Sequence, residues 1–251
     1  MSLLSSDALV LRTYQLGETS KIVVLLTRER GKLRAVAQGA RGKRLRYQSA
    51  LEPLSQVRAT LYGRQGTELY RLGECELLHS AFGAGQKGLE AALALSYFAE
   101  LVDAFAPEGE VDNAVYRLVM AVLSAMEADK QVSMLTRYME AWVLRLHGIY
   151  PPLNRCAGCG GGLPEGELHY HRSAGGFVCE ACRPASGPVL PLAHRHFLQA
   201  VFRCAPAEVT VEVPAGSALG SFHEGLIERH LERRLKSHRV LNEVSREMGR
   251  E

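Results

Sequence analysis

The sequence predicts an α+β protein in which a five-stranded OB-type β-barrel is followed by an α-helical domain with an inserted four-cysteine zinc module. Short apolar runs separated by glycines extend to residue 80, apolar residues then recur every three or four positions, and two Cys-x2-Cys pairs lie within the second region. We therefore expect a barrel domain over 1–80 and a helical domain over 81–251, with the zinc insert at about 155–188. The 251 residues are enough for two domains, each with its own core.

Five runs rich in Val, Leu, Thr and Tyr are the candidate strands, at 8–13, 21–27, 32–38, 52–62 and 69–78. In the fourth run Val57, Ala59 and Leu61 alternate with polar residues, which indicates one buried face and one wet face. Five short strands in about 75 residues favour a closed barrel of OB or SH3-like type, because closure removes exposed strand edges.

Helical periodicity begins after Leu78. Leu89–Phe105 is apolar almost all round, and apolar residues step by three and four through 115–126 and 135–146. Asp112 or Asn113 and Ser133 are candidate N-caps. Two more helices are predicted at 192–203 and 217–237.

Four of the six cysteines form a pattern typical of a zinc site. Cys156 and Cys159 make one Cys-x2-Cys turn, and Cys179 and Cys182 make a second after nineteen residues. Each turn directs two thiolates at one tetrahedral ion, and four thiolates leave no position for a reactive water, so we expect one structural Zn²⁺. Two disulfides or four unligated thiols are the alternatives.

The sequence contains no pattern that requires export or a membrane. Its first residues lack a basic segment ahead of an apolar run, so they do not have the form of a secretory signal. Leu89–Phe105 is long enough to span a bilayer but contains Glu90, Glu100 and Asp103, which are costly there. We expect a cytoplasmic protein that has no membrane partner.

The positive charge is concentrated in the predicted barrel. Residues 1–80 contain 13 Lys/Arg against 7 Asp/Glu, or +6, whereas 81–251 contain 17 against 20, or −3. A basic strand joined to a basic, glycine-containing loop favours contact with a polyanion backbone. The candidate nucleic-acid contacts are Arg28, Arg30, Lys32, Arg34, Arg41, Lys43, Arg44 and Arg46. The alternative is an ordinary solvated surface.

Binding without sequence preference, and without catalysis, is the function these residues favour. No helix-turn-helix or recognition-helix signature is present, so backbone contact is expected rather than base reading. No Walker A loop, G-x-S-x-G elbow or carboxylate set for two metal ions occurs, and we expect a protein that is not an enzyme. An RNA-binding module of translation and a scaffold that recruits acidic protein tails remain as alternatives.

The opening run DALVLRTYQLGETSKIVVLLTRERGKLRAVAQGARG, followed by helices and the four-cysteine insert, resembles the RecO family of recombination mediators. The resemblance extends over nearly the whole chain. It implies DNA repair by recombination in the RecF pathway, binding of single- and double-stranded DNA, and annealing of complementary strands without ATP. It also implies association with RecR and with the acidic tail of single-stranded DNA-binding protein, and help in loading RecA. The corresponding DNA contacts here are Lys21, Lys32, Arg34 and the loop from Arg41 to Arg46.

Overall fold

The computed structural model describes residues 2–41, 47–64, 66–212 and 218–248. The chain divides into two compact units, one of Met1–Leu123 with Leu235–Leu241 and one of Ser124–Arg234 with Asn242–Glu251. The predicted domain boundary at residue 80 coincides with the end of the last barrel strand and stays a prediction. Within the described ranges, no helix is both long and apolar enough to cross a membrane.

The first unit begins with a closed five-stranded barrel, which confirms the predicted fold. Its strands are β1 (Ser2–Leu16), β2 (Ser20–Thr27), β3 (Gly31–Ala37), β4 (Gln56–Gly63) and β5 (Tyr70–His79). They follow the order β1-β2-β3-β5-β4, and β4 pairs back with β1. All pairs are antiparallel except β3 with β5, whose parallel pairing closes the OB barrel.

Strand β1 is much longer than the predicted run at 8–13. Its first half pairs with β4 and its second half with β2, and a bulge between Val10 and Arg12 bends it between the two partners. The extension at Ser2–Asp7 is polar enough to hide the strand pattern. Inside the barrel, small residues such as Ala35, Ala37 and Ala59 are fully buried beside valines and leucines, as a narrow barrel requires.

Three helices follow the barrel: α1 (Phe82–Gly85), α2 (Leu89–Phe105) and α3 (Asn113–Glu127). The Asp112 carboxylate accepts the backbone N–H groups of Ala114 at 3.1 Å and Val115 at 2.9 Å, so Asp112 is the N-cap of α3 as predicted. Helix α2 packs against β1. This places the C-terminal end of α2 beside the outer surface of the barrel.

The second unit contains α4 (Val132–Leu146), α5 (Leu192–Val201) and α6 (Ala218–Leu231). The predicted N-cap at Ser133 is wrong, because α4 already begins at Val132. The predicted single helix over 217–237 is also wrong: α6 ends at Leu231, Glu232 takes a left-handed conformation with φ of 53°, and α7 is Lys236–Met248. The turn between them buries Leu235, which the continuous periodicity had placed on a helix face.

The cysteine insert contains a small sheet that the sequence pattern did not predict. Its strands are β6 (Leu168–His171), β7 (Gly176–Val178) and β8 (Val189–Leu190), in the order β7-β6-β8. Strands of two to four residues are too short to show a period of two. Phe177 and Leu168 are buried in this sheet, and the ring of Phe177 packs against Phe222 of α6 with their centroids 5.5 Å apart.

A buried polar network joins α4 to α6. The fully buried Glu140 carboxylate lies 2.9 Å from His223 Nδ1 and 2.8 Å from an Arg137 guanidinium nitrogen. His223 Nε2 lies 3.0 Å from the Tyr150 hydroxyl. Burial lowers the pKa of His223, so the neutral imidazole donates to Glu140 and accepts from Tyr150. The two hydrogen bonds of His223 satisfy ring nitrogens that would be costly to bury alone.

Candidate nucleic-acid interface and metal centre

Most of the predicted nucleic-acid contacts that the structure describes are exposed. Arg28 and Arg30 are exposed in the turn between β2 and β3, Arg34 is exposed on β3, and Arg41 is exposed after β3. Lys21, at the start of β2, is partly exposed. Lys43, Arg44 and Arg46 lie outside the described residues. The β2–β3 hairpin therefore displays cations at both of its ends.

A cleft of about 670 Å³ lies along β3 and brings part of this set together. Arg30, Lys32 and Arg34 supply its cations, and Glu68 and Glu108 supply carboxylates. The remaining lining residues are Leu33, Gly66, Thr67, Tyr70 and Gly109. The cleft is therefore a groove of mixed charge in which two cations lie on β3 and the third, Arg30, lies in the turn before it.

Lys32 differs from the other predicted contacts because it is 8% exposed. Its ammonium donates to the Asp103 carbonyl oxygen at 2.7 Å and lies 3.6 Å from the Asp103 carboxylate. Asp103 is in the last turn of α2, where carbonyl groups have no partner within the helix and favour a cation. Lys32 thus joins β3 to the C-terminal end of α2. Its assignment as a nucleic-acid contact stays a prediction.

The tyrosines of the barrel divide into buried and exposed groups. Tyr47 is 4% exposed, and its hydroxyl donates to the carbonyl oxygen of Leu72 at 3.1 Å, so it fills the core. Tyr14 is 40% exposed, and the Arg12 guanidinium lies 4.4 Å from its ring centroid. A stacked Arg and Tyr offer a flat cationic surface to a base or a phosphate.

The four cysteines of the predicted metal site meet at one point. Their sulfur atoms all lie within 4.8 Å of one another, and Cys159 Sγ is 3.8 Å from Cys179 Sγ. Four sulfurs at the ordinary zinc–sulfur distance of about 2.3 Å around a tetrahedral ion are about 3.8 Å apart. These residues fit a metal ion with a closed coordination sphere. Two separate disulfides would instead place each sulfur about 2 Å from a single partner.

Backbone groups around Cys156 prepare this site for an anionic sulfur. The N–H groups of Cys159 at 3.5 Å, Cys179 at 3.3 Å and Gly158 at 3.4 Å are directed at Cys156 Sγ and lower the pKa of that thiol to about 6. Hydrogen bonds to the sulfurs of Cys179 and Cys156 raise the pKa of the Cys182 thiol to about 12. A bound cation reverses that second effect because metal coordination deprotonates thiols.

The fold of the insert explains how two distant pairs of cysteines converge. The first pair lies in a hairpin closed by a bridge between Arg155 and Gly162, and the Ala157 N–H donates to the Phe177 carbonyl of β7 at 2.8 Å. A Cβ at Gly158 would lie 3.0 Å from Cys182 Sγ, so the two turns approach as closely as a glycine permits. The second pair follows β7 directly.

Comparisons with known proteins agree with this architecture. The family model described as Recombination protein O N terminal matches residues 1–81, and Recombination protein O C terminal matches residues 86–239. DNA repair protein RecO of Koribacter versatilis is 35% identical over 243 residues, which is 95% of this chain and 98% of that protein. DNA repair protein RecO of Anaeromyxobacter sp. strain K is 33% identical over 246 residues, 96% of each chain.

The chain belongs to the RecO family. A shorter match, to DNA repair protein RecO of Pelotomaculum thermopropionicum, is 38% identical over 182 residues, 72% of this chain and 69% of that protein. Family membership confirms the resemblance drawn from the opening run and from the order of barrel, helices and cysteine insert.

Two residues of this RecO-family chain have site roles that sequence patterns did not suggest. Glu108 lies in the cleft, 2.9 Å from an Arg34 guanidinium nitrogen. Arg195 is 5% exposed on α5, and its guanidinium donates to the carbonyl oxygens of Leu153 at 3.1 Å, Gly166 at 3.2 Å and, more closely, Pro164. These carbonyl groups flank the first cysteine pair on both sides. An arginine within the otherwise apolar face of α5 is the only sequence signal for it.

Proposed function

We propose that this protein is a recombination mediator in DNA repair that binds single- and double-stranded DNA without sequence preference. The observation that carries the proposal is the match of two RecO family models to the barrel and to the helical region. The exposed cations along the β2–β3 hairpin support it physically, because phosphate contacts by Lys and Arg supply most of the sequence-independent affinity for DNA.

The proposed contacts are cations that solvent reaches. Arg28 and Arg30 at one end of the hairpin, Arg34 within the cleft, and Lys21 and Arg41 at the other end form the described part of this surface. Lys43, Arg44 and Arg46 are proposed contacts from their sequence alone. Lys32 supports the surface from beneath by holding α2 against β3.

Annealing follows from charge neutralisation. Two DNA strands repel each other, and a shared basic surface removes part of that repulsion, so complementary bases pair without ATP. No covalent step is involved, and the protein acts through binding energy alone. It acts in the cytoplasm with RecR, binds the acidic tail of single-stranded DNA-binding protein, and helps RecA to replace that protein on DNA.

Strand annealing in the absence of nucleotide tests the function. We expect the protein to accelerate pairing of complementary single strands, both bare and coated with single-stranded DNA-binding protein, and RecA loading on coated DNA to require RecR as well. The double variant Arg30→Gln with Arg34→Gln should slow annealing and weaken binding. The matched control is Arg183→Gln with Arg203→Gln, which removes the same charge from exposed positions of the second unit. If the two double variants have equal annealing activity, the DNA-binding site does not include Arg30 and Arg34.

We also propose that the four cysteines hold one structural Zn²⁺. The ion would crosslink the two cysteine turns and stabilise the insert, and the four thiolates exclude a water that could react. Elemental analysis of reduced protein should find one zinc per chain. Cys156→Ser should lose the zinc and the fold of the insert while Cys204→Ser, at a cysteine outside the cluster, should keep both. Retention of stoichiometric zinc by Cys156→Ser would exclude this ligand set.

A further inference from the structure

The cleft along β3 carries an acidic group that belongs to the protein itself. Glu108 lies in the segment between α2 and α3, and its carboxylate is 2.9 Å from an Arg34 guanidinium nitrogen and 3.7 Å from the Lys32 ammonium. Both Arg34 and Glu108 are about half exposed, at 55% and 50% of their side chains. A carboxylate therefore occupies the position that a phosphate would take on the exposed cation of this strand.

The backbone fixes this carboxylate over the cleft. Glu108 forms a β-bridge with Lys32, and the Gly109 N–H donates to the Lys32 carbonyl oxygen at 2.9 Å. The segment that contains Glu108 also lies directly against Gly31, the residue before Lys32 on β3. A Cβ at Gly31 would lie 1.8 Å from the Glu110 carbonyl oxygen, so only glycine fits at this position. Glu108 is thus held by main-chain contacts and does not depend on its ion pair for its position.

The two cations that face Glu108 are bound differently. Lys32 is anchored to Asp103 as well and stays paired without Glu108. Arg34 has Glu108 as its ion-pair partner within the part of the chain that the structure describes. An exposed pair of this type contributes little net free energy, so a phosphate displaces it at low cost.

We propose that Glu108 is an internal competitor for the nucleic-acid backbone at Arg34 and sets the strength of DNA binding at the cleft. A phosphate gains Arg34 only by taking the place of the Glu108 carboxylate. The carboxylate also repels phosphates that approach the other cations of the cleft. A mediator that must release its strands after pairing gains from this arrangement, because the competitor is always present at high local concentration.

This inference rests on the proposed DNA binding, and Glu108→Gln tests it separately. The variant keeps the shape and the backbone contacts while removing the charge. We expect its affinity for single-stranded DNA at low salt to rise by about 3- to 5-fold, because a phosphate no longer has to displace the carboxylate from Arg34. The matched control is Glu110→Gln, which changes the net charge equally two residues away, at an exposed side chain that does not line the cleft.

A double-variant cycle identifies the cation through which Glu108 acts. In an Arg34→Gln background, Glu108→Gln should change the affinity by less than about 2-fold, because the contested cation is gone. Fluorescence anisotropy with a labelled oligonucleotide of random sequence measures all four proteins, and thermal unfolding checks that each is folded. If wild-type protein shows no salt-dependent binding, the proposed function itself fails. If wild-type protein binds DNA but the Glu108→Gln and Glu110→Gln variants have the same DNA affinity, only the competitor role is overturned. The same holds if Glu108→Gln raises the DNA affinity equally in the wild-type and Arg34→Gln backgrounds.

Discussion

Replacing Arg195 by methionine should disrupt the cysteine insert from a position outside it. Arg195 is buried on α5, and its guanidinium donates to carbonyl groups on both sides of the first cysteine pair, at Leu153 and at Pro164 and Gly166. Methionine has a similar length and a comparable apolar stem, so it preserves the packing of α5 while removing every one of these hydrogen bonds. The hairpin that contains Cys156 then loses the clamp that closes its two ends.

The magnitude follows from the number and quality of these bonds. Three are shorter than 3.3 Å, and a fourth, to the Leu163 carbonyl, is 3.5 Å long and contributes little. A hydrogen bond from a charged donor contributes about 1.5–3 kcal/mol, and the acceptors here are partly exposed, so water replaces some of the loss. We expect the free energy of unfolding of the second unit to fall by about 3–4 kcal/mol.

Two measurements check this prediction. Chemical denaturation followed by circular dichroism gives the stability, and a chromogenic chelator gives the rate at which the proposed zinc leaves the protein. We expect Arg195→Met to release zinc at least about tenfold faster than wild-type protein. Arg203→Met, at an exposed arginine just beyond the same helix, is the control and should match wild type in both assays. A stability loss below about 1 kcal/mol with unchanged zinc release would refute the clamp.

Further expectations concern Lys32, His194 and the salt dependence of binding. Lys32→Met should lower the free energy of unfolding by about 1–3 kcal/mol, because it removes the hydrogen bond to the end of α2, and should change DNA affinity less than Arg34→Gln does; the opposite ranking would make Lys32 a direct contact. His194 is 6% exposed, its ring nitrogens have no hydrogen-bond partner among the described residues, and burial lowers its pKa. The unfolded chain therefore binds a proton below pH about 6.5 that the folded protein does not. The free energy of unfolding decreases as the pH drops below that value. His194→Leu should raise the free energy of unfolding by about 1 kcal/mol at pH 7, as measured by urea denaturation. Between pH 7 and pH 5 the variant should lose less of that free energy than wild-type protein does. Parallel pH profiles of stability for the two proteins would contradict this. Affinity for single-stranded DNA should fall with salt by roughly 0.7 log units per log unit for each phosphate contacted, as titration at several salt concentrations would show; an affinity independent of salt would argue against backbone contact.

Local patterns predicted the barrel, most of the helices and the pairing of the four cysteines well because each is specified by neighbouring residues. Alternation along 56–61 places alternate side chains on opposite faces of a strand whatever the rest of the chain does. The Cys-x2-Cys turns likewise direct two sulfurs to one point through their own backbone. The pattern failed where distant residues decide the outcome. The helix over 217–237 was predicted as continuous because nothing in its periodicity marks the left-handed turn at Glu232.

The cleft shows the same distinction for charge. Lys32 and Arg34 share one face of β3, and alternation alone gives them equal roles. Their surroundings differ because the end of α2 covers Lys32 and leaves Arg34 half exposed. The partners, Asp103 and Glu108, lie about 70 residues later in the region that carries the acidic excess. Part of the +6 charge of residues 1–80 is therefore neutralised within the first unit itself. Counting charges along the sequence locates the basic surface but overstates its free charge, because Lys32 and Arg34 are already paired with carboxylates.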